Sequence, residues 1–237
     1  MTVKRLLAVG DFHGEWQKFQ SMYEKVAFNP EEDLMIFLGD YLDRGSEPVP
    51  VMDFVLSHQD TENMIFLRGN HEQMFFDSFR CAPDKAMGFG EWFDSPKRLW
   101  FDNGGSITFN RIKKSGRMYE LNRTWLDWID KLPLYADIVV GEQHYWFMHA
   151  DCNPTIPLDQ QETSTLLWGR SLAAHPELND GANIIVLGHT PVQALGYPAE
   201  PQWLDDGKVV LVDTGSFLKN GHISCVDLLS HTVYPSD

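Results

Sequence analysis

The sequence predicts an α/β fold in which buried strands deliver polar side chains to a common edge, and two observations predict it. First, short apolar runs recur along the 237 residues at Leu6–Val9, Leu34–Leu38, Met64–Leu67, Trp146–Met148 and Ile184–Leu187. Uninterrupted runs of this length read as strands covered on both faces, although an interior helix segment gives the same pattern. Second, each run is followed closely by a residue able to bind a divalent metal: Asp11 and His13, then Asp40, Asn70, His149 and His189. Strands laid side by side present their carboxyl ends on one edge, which is where open α/β sheets bind ligands. Gly10, Gly39 and Gly188 directly precede three of these residues and fit tight turns with close backbone approach.

The candidate ligands combine hard oxygens with imidazoles. That mixture is too rich in oxygen for a structural zinc site and too rich in nitrogen for a calcium cage. A pair of catalytic ions fits it, manganese first, with iron or zinc as alternatives. Asp40 can bridge two ions through its two oxygens. Ions roughly 3.5–4 Å apart can share a hydroxide and clamp the attacking and leaving oxygens of an in-line displacement. A lone Asp-x-His is more often a turn or a helix cap, so the weight lies in its repetition at successive strand ends.

The neighbours of these residues point to phosphate. Gly39-Asp40-Tyr41-Leu42-Asp43-Arg44-Gly45 sets Arg44 just past Asp40, and a guanidinium fork matches phosphate oxygens. His71 directly follows Asn70, and a histidine with an unperturbed pKa of about 6.5 can protonate a leaving oxygen near neutral pH. Its ring needs a partner, and Asp43 is the nearest candidate by motif. The plain alternative for His71 is a cap or a support for the neighbouring ligand.

Gly10-Asp11-Phe12-His13-Gly14, Gly39 through Gly45, Arg68-Gly69-Asn70-His71-Glu72, His149-Ala150-Asp151 and Gly188-His189-Thr190-Pro191 resemble the ordered signature blocks of the metallophosphoesterases, in the phosphoprotein phosphatase branch. The blocks cover residues 10–190. Asn103-Gly104-Gly105 makes the chain most similar to the bacterial and phage enzymes of the bacteriophage lambda type, with bacterial diadenosine tetraphosphatases as near relatives. The resemblance implies a calcineurin-like α/β architecture, with two mixed β-sheets packed as a sandwich and flanked by helices. It would occupy a single domain, residues 1–237, with a helical or loop insertion at about 73–135. By the same resemblance Asp11, His13 and Asp40 hold one ion, while Asp40, Asn70, His149 and His189 hold the other. His71 becomes the general acid, Asp43 its orienting partner and Arg44 a ligand of the phosphoryl oxygens. Arg170, in Leu166-Leu167-Trp168-Gly169-Arg170, is the match for a second phosphate arginine; a surface ion pair is its plain alternative. Pro191 stands where wider metallophosphoesterases carry a further histidine, which favours the phosphatase branch.

A formal net charge of −15 argues against a nucleic-acid partner, and the basic residues are scattered pairs rather than a stripe. Part of the negative charge is the metal site itself. No apolar stretch approaches the roughly 18–20 residues of a membrane span, and Met1 to Arg5 runs directly into the first strand, so a cytoplasmic location without a membrane partner is expected. Cys81, Cys152 and Cys225 are odd in number and lack CxxC spacing, which speaks against a disulfide framework. A catalytic thiol at Cys152 would be redundant beside a metal hydroxide.

Substrate choice is expected to be built between residues 73 and 135. Helices are predicted over Glu72–Arg80 and Asn122–Lys131, with Trp125, Trp128, Ile129 and Leu132 forming a core stripe rather than a base-stacking platform. Ala82–Asp84 and Phe89–Phe93 suggest a loop or small lid. Val209–Gly215 and His222–Leu228 read as two strands joined at Asn220-Gly221, a hairpin that the resemblance assigns to the second sheet. Asp151 and Asp213 read as turn or supporting residues, Glu72 as a helix cap or an acceptor within the site, and His58, His175, His222 and His231 as ordinary histidines. The expected activity is hydrolysis of phosphomonoesters, foremost phosphoserine and phosphothreonine in proteins, the substrate partner being a phosphoprotein or a phosphorylated small molecule. Symmetrical cleavage of diadenosine tetraphosphate by the same residues is the alternative. A binding protein that kept the fold and lost catalysis is a third reading, disfavoured because no expected ligand or acid is replaced.

Overall fold

The computed structural model describes residues 3–80 and 95–237. Every apolar run forms a strand, but the strands divide between two sheets instead of lining one edge. In the first sheet β1 (Arg5–Val9), β2 (Asp33–Phe37) and β3 (Met64–Phe66) are parallel, and β9 (Ser224–Asp227) and β10 (Thr232–Pro235) continue it antiparallel in the order β10-β9-β1-β2-β3. In the second, β5 (Gln143–Met148), β6 (Ile184–Leu187) and β8 (Val209–Leu211) are parallel. Antiparallel β4 (Tyr135–Val140) and β7 (Gln202–Leu204) close its two edges, giving β4-β5-β6-β8-β7.

Side-chain alternation explains the continuous apolar runs. Leu6 and Ala8, with Ile36 and Leu38, face Phe147, Val186 and Val210 in a layer between the sheets. Leu7, Val9, Met35 and Phe37 point the other way, beneath α1 (Trp16–Val26), α2 (Pro48–His58) and α3 (Asn70–Arg80). Met148, Ile185, Leu187, Val209 and Leu211 form the third layer with Leu166 of α7 (Thr163–Trp168) and Leu172 of α8 (Ser171–Ala174). Strands buried on both faces lose the polar half of the usual alternation.

Between α3 and β4 the described chain forms α4 (Pro96–Trp100), one π-helical turn (Phe101–Gly105), α5 (Ser106–Lys114) and α6 (Met118–Ile129). Trp125, Trp128, Ile129 and Leu132 are buried in the helix-side layer, Trp128 lying 5.5 Å from the Tyr41 ring and 6.1 Å from that of Phe66. That stripe is therefore core. The Ala82–Asp84 and Phe89–Phe93 segments, expected as a loop or lid, lie outside the described residues.

The two strands expected at Val209–Gly215 and His222–Leu228 do not pair as a hairpin. β8 belongs to the second sheet and β9 to the first, so residues 212–223 cross from one sheet to the other, Asn220-Gly221 included. A link of this length lacks the two-residue geometry of a tight hairpin. Strands apolar on both faces fit either sheet equally well, which is why pattern alone mispaired them. Lys18 of α1 holds the crossover by donating from Nζ to the Ser216 and Gly221 carbonyls, at 2.6 and 2.9 Å. The hairpins of this region are β7–β8, turned at Asp205, Asp206 and Gly207 with positive φ throughout, and β9–β10. No described helix is long and apolar enough to cross a membrane.

Phe37 is fully buried, stacks on Phe66 with centroids 4.5 Å apart, and meets Phe12 edge-on at 5.7 Å. Phe37→Ala should lower unfolding stability by about 3–5 kcal/mol, read from urea melts. Tyr119→Ala, at a side chain 82% exposed, should stay within about 0.5 kcal/mol of the parent.

Candidate metal centre and phosphate site

Register brings the motif residues together. Val9 pairs with Phe37 and Phe37 with Phe66, so Asp11, Asp40 and Asn70 leave the first sheet at the same level. Met148 pairs with Leu187 and Leu187 with Leu211, which aligns His149, His189 and Asp213 on the second. The two mouths meet directly. The His189 N–H donates to both Asp11 oxygens at 3.1 and 3.2 Å, and a Cβ on Gly188 would come 2.5 Å from Asp11 Oδ1. Glycine is required there because the carboxylate occupies the space of a side chain.

Asp40 lies between two histidine groups. Its Oδ2 is 3.6 Å from His13 Nε2 and 3.9 Å from His71 Nε2, while its Oδ1 is 3.4 Å from His149 Nε2. Two clusters able to hold an ion, His13–Asp40–His71 and Asp40–His149–His189, therefore share this residue. Asn70 Oδ1 adds an oxygen 2.9 Å from His149 Nε2 and 3.0 Å from His189 Nδ1. His13, Asp40, Asp43, Arg44 and His189 all have positive φ. Such backbone strain persists where the surroundings over-determine it.

The donor set fits divalent cations on two grounds. The Nδ1 of His149 faces the Leu38 carbonyl at 2.9 Å and that of His13 faces the Leu42 carbonyl at 3.1 Å. A carbonyl only accepts, so the proton of each neutral ring sits on Nδ1 and Nε2 carries a lone pair. The His149 lone pair then converges with Asp40 Oδ1 and Asn70 Oδ1, three acceptors whose mutual repulsion a cation relieves. His189 Nε2 is likewise buried without a hydrogen-bond partner among the described residues. The second ground is charge. Burial, then the charges of Asp213 and Asp40, push the Asp11 carboxyl well above its usual range, a condition that a bound cation reverses.

Titration separates the four histidines. Burial holds His13 and His149 below the ordinary value and takes His189 down to about 3, with the charge of His149 adding to the effect. Neutral imidazole is the form that ligates metals. In His71 burial also lowers the value, but the Asp40 charge and the hydrogen bond and charge of Asp43 outweigh it, so the net shift is upward. Its Nδ1 lies 2.7 Å from Asp43 Oδ2, and its Nε2 is buried without a hydrogen-bond partner among the described residues.

Arg44 Nη1 is 2.8 Å from His13 Nε2, and its guanidinium lies 4.3 Å from the centroid of the Phe217 ring. Arg170 immediately precedes α8, is exposed, and is close enough to His189 to help depress that ring. Its turn is held by Asp151, which accepts from the Ser171 N–H at 2.7 Å, from Leu172 at 3.2 Å and from Cys152 at 3.0 Å. Asp213 accepts from the Gly215 N–H at 2.8 Å and is pushed up to about 7, chiefly by burial. Glu72 accepts from the Asp40, Tyr41, Leu42 and Gly69 N–H groups at 2.8 to 3.2 Å. Burial pushes its carboxyl up to about 8, yet a proton there would compete with these donors. Phe217, Trp100 and Thr108 reach the site without any motif to announce them; Trp100 precedes Asn103-Gly104-Gly105, which is the one signal near it.

Among known proteins, the chain is 28% identical over 211 residues to serine/threonine-protein phosphatase 2 of Escherichia coli K12, covering 86% of this chain and 88% of that protein. It is 34% identical over 67 residues to a symmetrical bis(5'-nucleosyl)-tetraphosphatase of Chromobacterium violaceum, covering 28% of this chain and 24% of the relative. The fold is similar to the crystal structure of a candidate diadenosine tetraphosphatase, with a TM-score of 0.64, 14% identity and coverage of 98% of this chain and 94% of the other. The family model of the calcineurin-like phosphoesterases matches residues 4–233, so that the histidine and carboxylate donors gathered between the two sheets lie within it, and the chain belongs to this family of metal-dependent hydrolases.

Proposed function

We propose that the protein is a serine/threonine-type phosphatase that hydrolyses phosphomonoesters with two divalent ions, manganese foremost. The observation that carries this reading is the split of the Asp40 carboxylate between two sets of donors, His13 and His71 at Oδ2 and His149 at Oδ1, with Arg44 against His13 and Asp43 behind His71. The match to the Escherichia coli protein over most of both chains supports phosphoprotein as the substrate class.

Asp11, His13 and Asp40 would hold one ion, and Asp40, Asn70, His149 and His189 the other. Ions bound there supply a nucleophilic water at neutral pH and offset phosphoryl charge. Arg44 and Arg170 bind the phosphoryl oxygens and stabilise the charge that develops on them. His71 donates its Nε2 proton to the departing alkoxide, while Asp43 fixes the tautomer through Nδ1. No side chain is needed as nucleophile. The Cys152 thiol is buried and pushed up to about 12, by desolvation and then by Asp151, so it supplies no thiolate. The tetraphosphatase resemblances support cleavage of a dinucleoside polyphosphate by the same residues as the second reading.

Side-by-side turnover on a phosphoserine/phosphothreonine peptide and on diadenosine tetraphosphate, with manganese and with chelator, tests the assignment. The peptide should have the higher kcat/KM; faster conversion of the dinucleotide to ADP would transfer the protein to the second reading. Chelation should abolish turnover on both, and manganese should restore it.

Gly69 has no room for a side chain, since a Cβ would overlap the Asp40 carboxylate and backbone nitrogen and crowd Glu72 Oε2. Gly69→Ala should therefore lower the number of ions bound per folded chain, read by elemental analysis and titration calorimetry. Full metal content in that variant would remove Asp40 from the bridging position. His71→Asn should cut kcat by about 10²–10⁴ on an alkyl phosphate and far less on an activated aryl phosphate; equal losses on both would remove His71 from the acid role.

A further inference from the structure

Asp43 is held by more than His71. Its Oδ2 accepts from the Trp100 indole N–H at 2.9 Å as well as facing His71, and its Oδ1 accepts from the Thr108 hydroxyl at 2.6 Å. The Asp43 backbone N–H donates in turn to Thr108 Oγ1 at 3.0 Å. Trp100, Thr108, Asp43 and His71 all have 0% exposure. Trp100 ends α4 and Thr108 lies in the first turn of α5, so the π-helical turn between them sets their spacing.

That turn is built around this contact. Gly105 lies against the indole so closely that a Cβ would overlap the ring. Gly104 has φ of +101°, and a Cβ there would come 3.0 Å from Arg44 Cγ. The indole is packed on its other sides by Phe75 at 5.3 Å, Phe79 at 5.7 Å and Phe101 at 5.3 Å. Apolar packing alone requires neither an N–H nor a hydroxyl aimed at a carboxylate. Two donors arriving at a carboxylate from fixed directions fix the plane of the group.

We infer that Trp100 and Thr108 are positioning residues for proton transfer: they clamp the Asp43 carboxylate so that it orients His71, with Nδ1 bonded and Nε2 aimed at the leaving oxygen. The inference rests on the reading of His71 as general acid. Without the clamp Asp43 can rotate, and His71 loses the orientation on which transfer to a poor leaving group depends. Good leaving groups depart without that proton, so the clamp matters to them little.

The test is a leaving-group series of phosphomonoesters, from alkyl to dinitrophenyl, with the manganese-loaded full chain and its Trp100→Phe, Thr108→Val, Thr108→Ser and His71→Asn variants. Trp100→Phe keeps an aromatic ring and deletes one donor, so its kcat on alkyl phosphates should fall about tenfold, the scale of one buried hydrogen bond to a charged group. KM and the dinitrophenyl rate should stay within about twofold of the parent, and the dependence of kcat on leaving-group pKa should steepen. Thr108→Val should act in the same direction and Thr108→Ser, which keeps the hydroxyl, should restore the parent behaviour. Losses equal across all leaving groups, or none, in Trp100→Phe while His71→Asn retains its leaving-group dependence would overturn the clamp and leave the acid assignment standing. A His71→Asn variant without such dependence would overturn both.

Discussion

One buried carboxylate organises this molecule. Asp40 stands where the carboxyl ends of two sheets meet, with one oxygen toward His13 and the other toward His149. His13 follows β1 and His149 follows β5, so donors from both sheets converge only while the inter-sheet layer keeps its thickness. The apolar contacts of Ile36, Leu38, Phe147 and Val186 thus act as a spacer for polar chemistry. Backbone near Asp40 adopts a positive φ that a non-glycine residue resists. Glu72 offsets that cost. From the first turn of α3 it reaches back to accept N–H groups on both sides of the site, joining the loop after β2 to the one after β3.

The same convergence makes the site an unfavourable place for an apoprotein. Carboxylates and lone pairs packed out of water repel one another, and burial penalises each charge. A fold that tolerates this arrangement transfers part of its stability to whatever cation satisfies it, because ligands brought together only in the folded chain couple binding to folding. Aromatic packing is densest in the helix-side layer of the first sheet, where Phe12, Phe19, Phe37, Phe54 and Phe66 meet.

Legibility in the sequence followed the range of the determining forces. β1, β2, β3, β5 and β6 were readable because a strand buried on both faces leaves a continuous apolar run, and the residues just past each end lie together because parallel registers align those ends. Pairing over longer range was not readable. Val209–Leu211 and Ser224–Asp227 look alike in sequence and went to different sheets, and nothing within the two strands states which neighbour each would find. Trp100 was hidden for a related reason. An aromatic residue at a helix end announces packing, and only the docking of α4 reveals that its N–H meets Asp43. Phe217 reaches Arg44 through a crossover whose path the misread hairpin had concealed.

The histidines show how position divides one residue type between two kinds of chemistry. His13 and His149 each turn Nδ1 to a backbone carbonyl, a neutral acceptor that orients the ring without favouring a positive charge. Burial then dominates, and both remain neutral lone-pair donors. His71 turns the same atom to Asp43, a carboxylate, and its titration shifts the opposite way despite equal burial. On the roles proposed above, the choice between ligand and acid is made by the atom behind the ring rather than by the ring itself. For His13 and His149 that atom comes from the loop after β2, where any residue's carbonyl would serve. For His71 it has to be an acid, and a carboxylate buried there needs donors of its own, which the chain supplies from the helices between β3 and β4. The acid role proposed for His71 would thus tie those helices to the metal-binding edge in a way that metal binding by itself does not require.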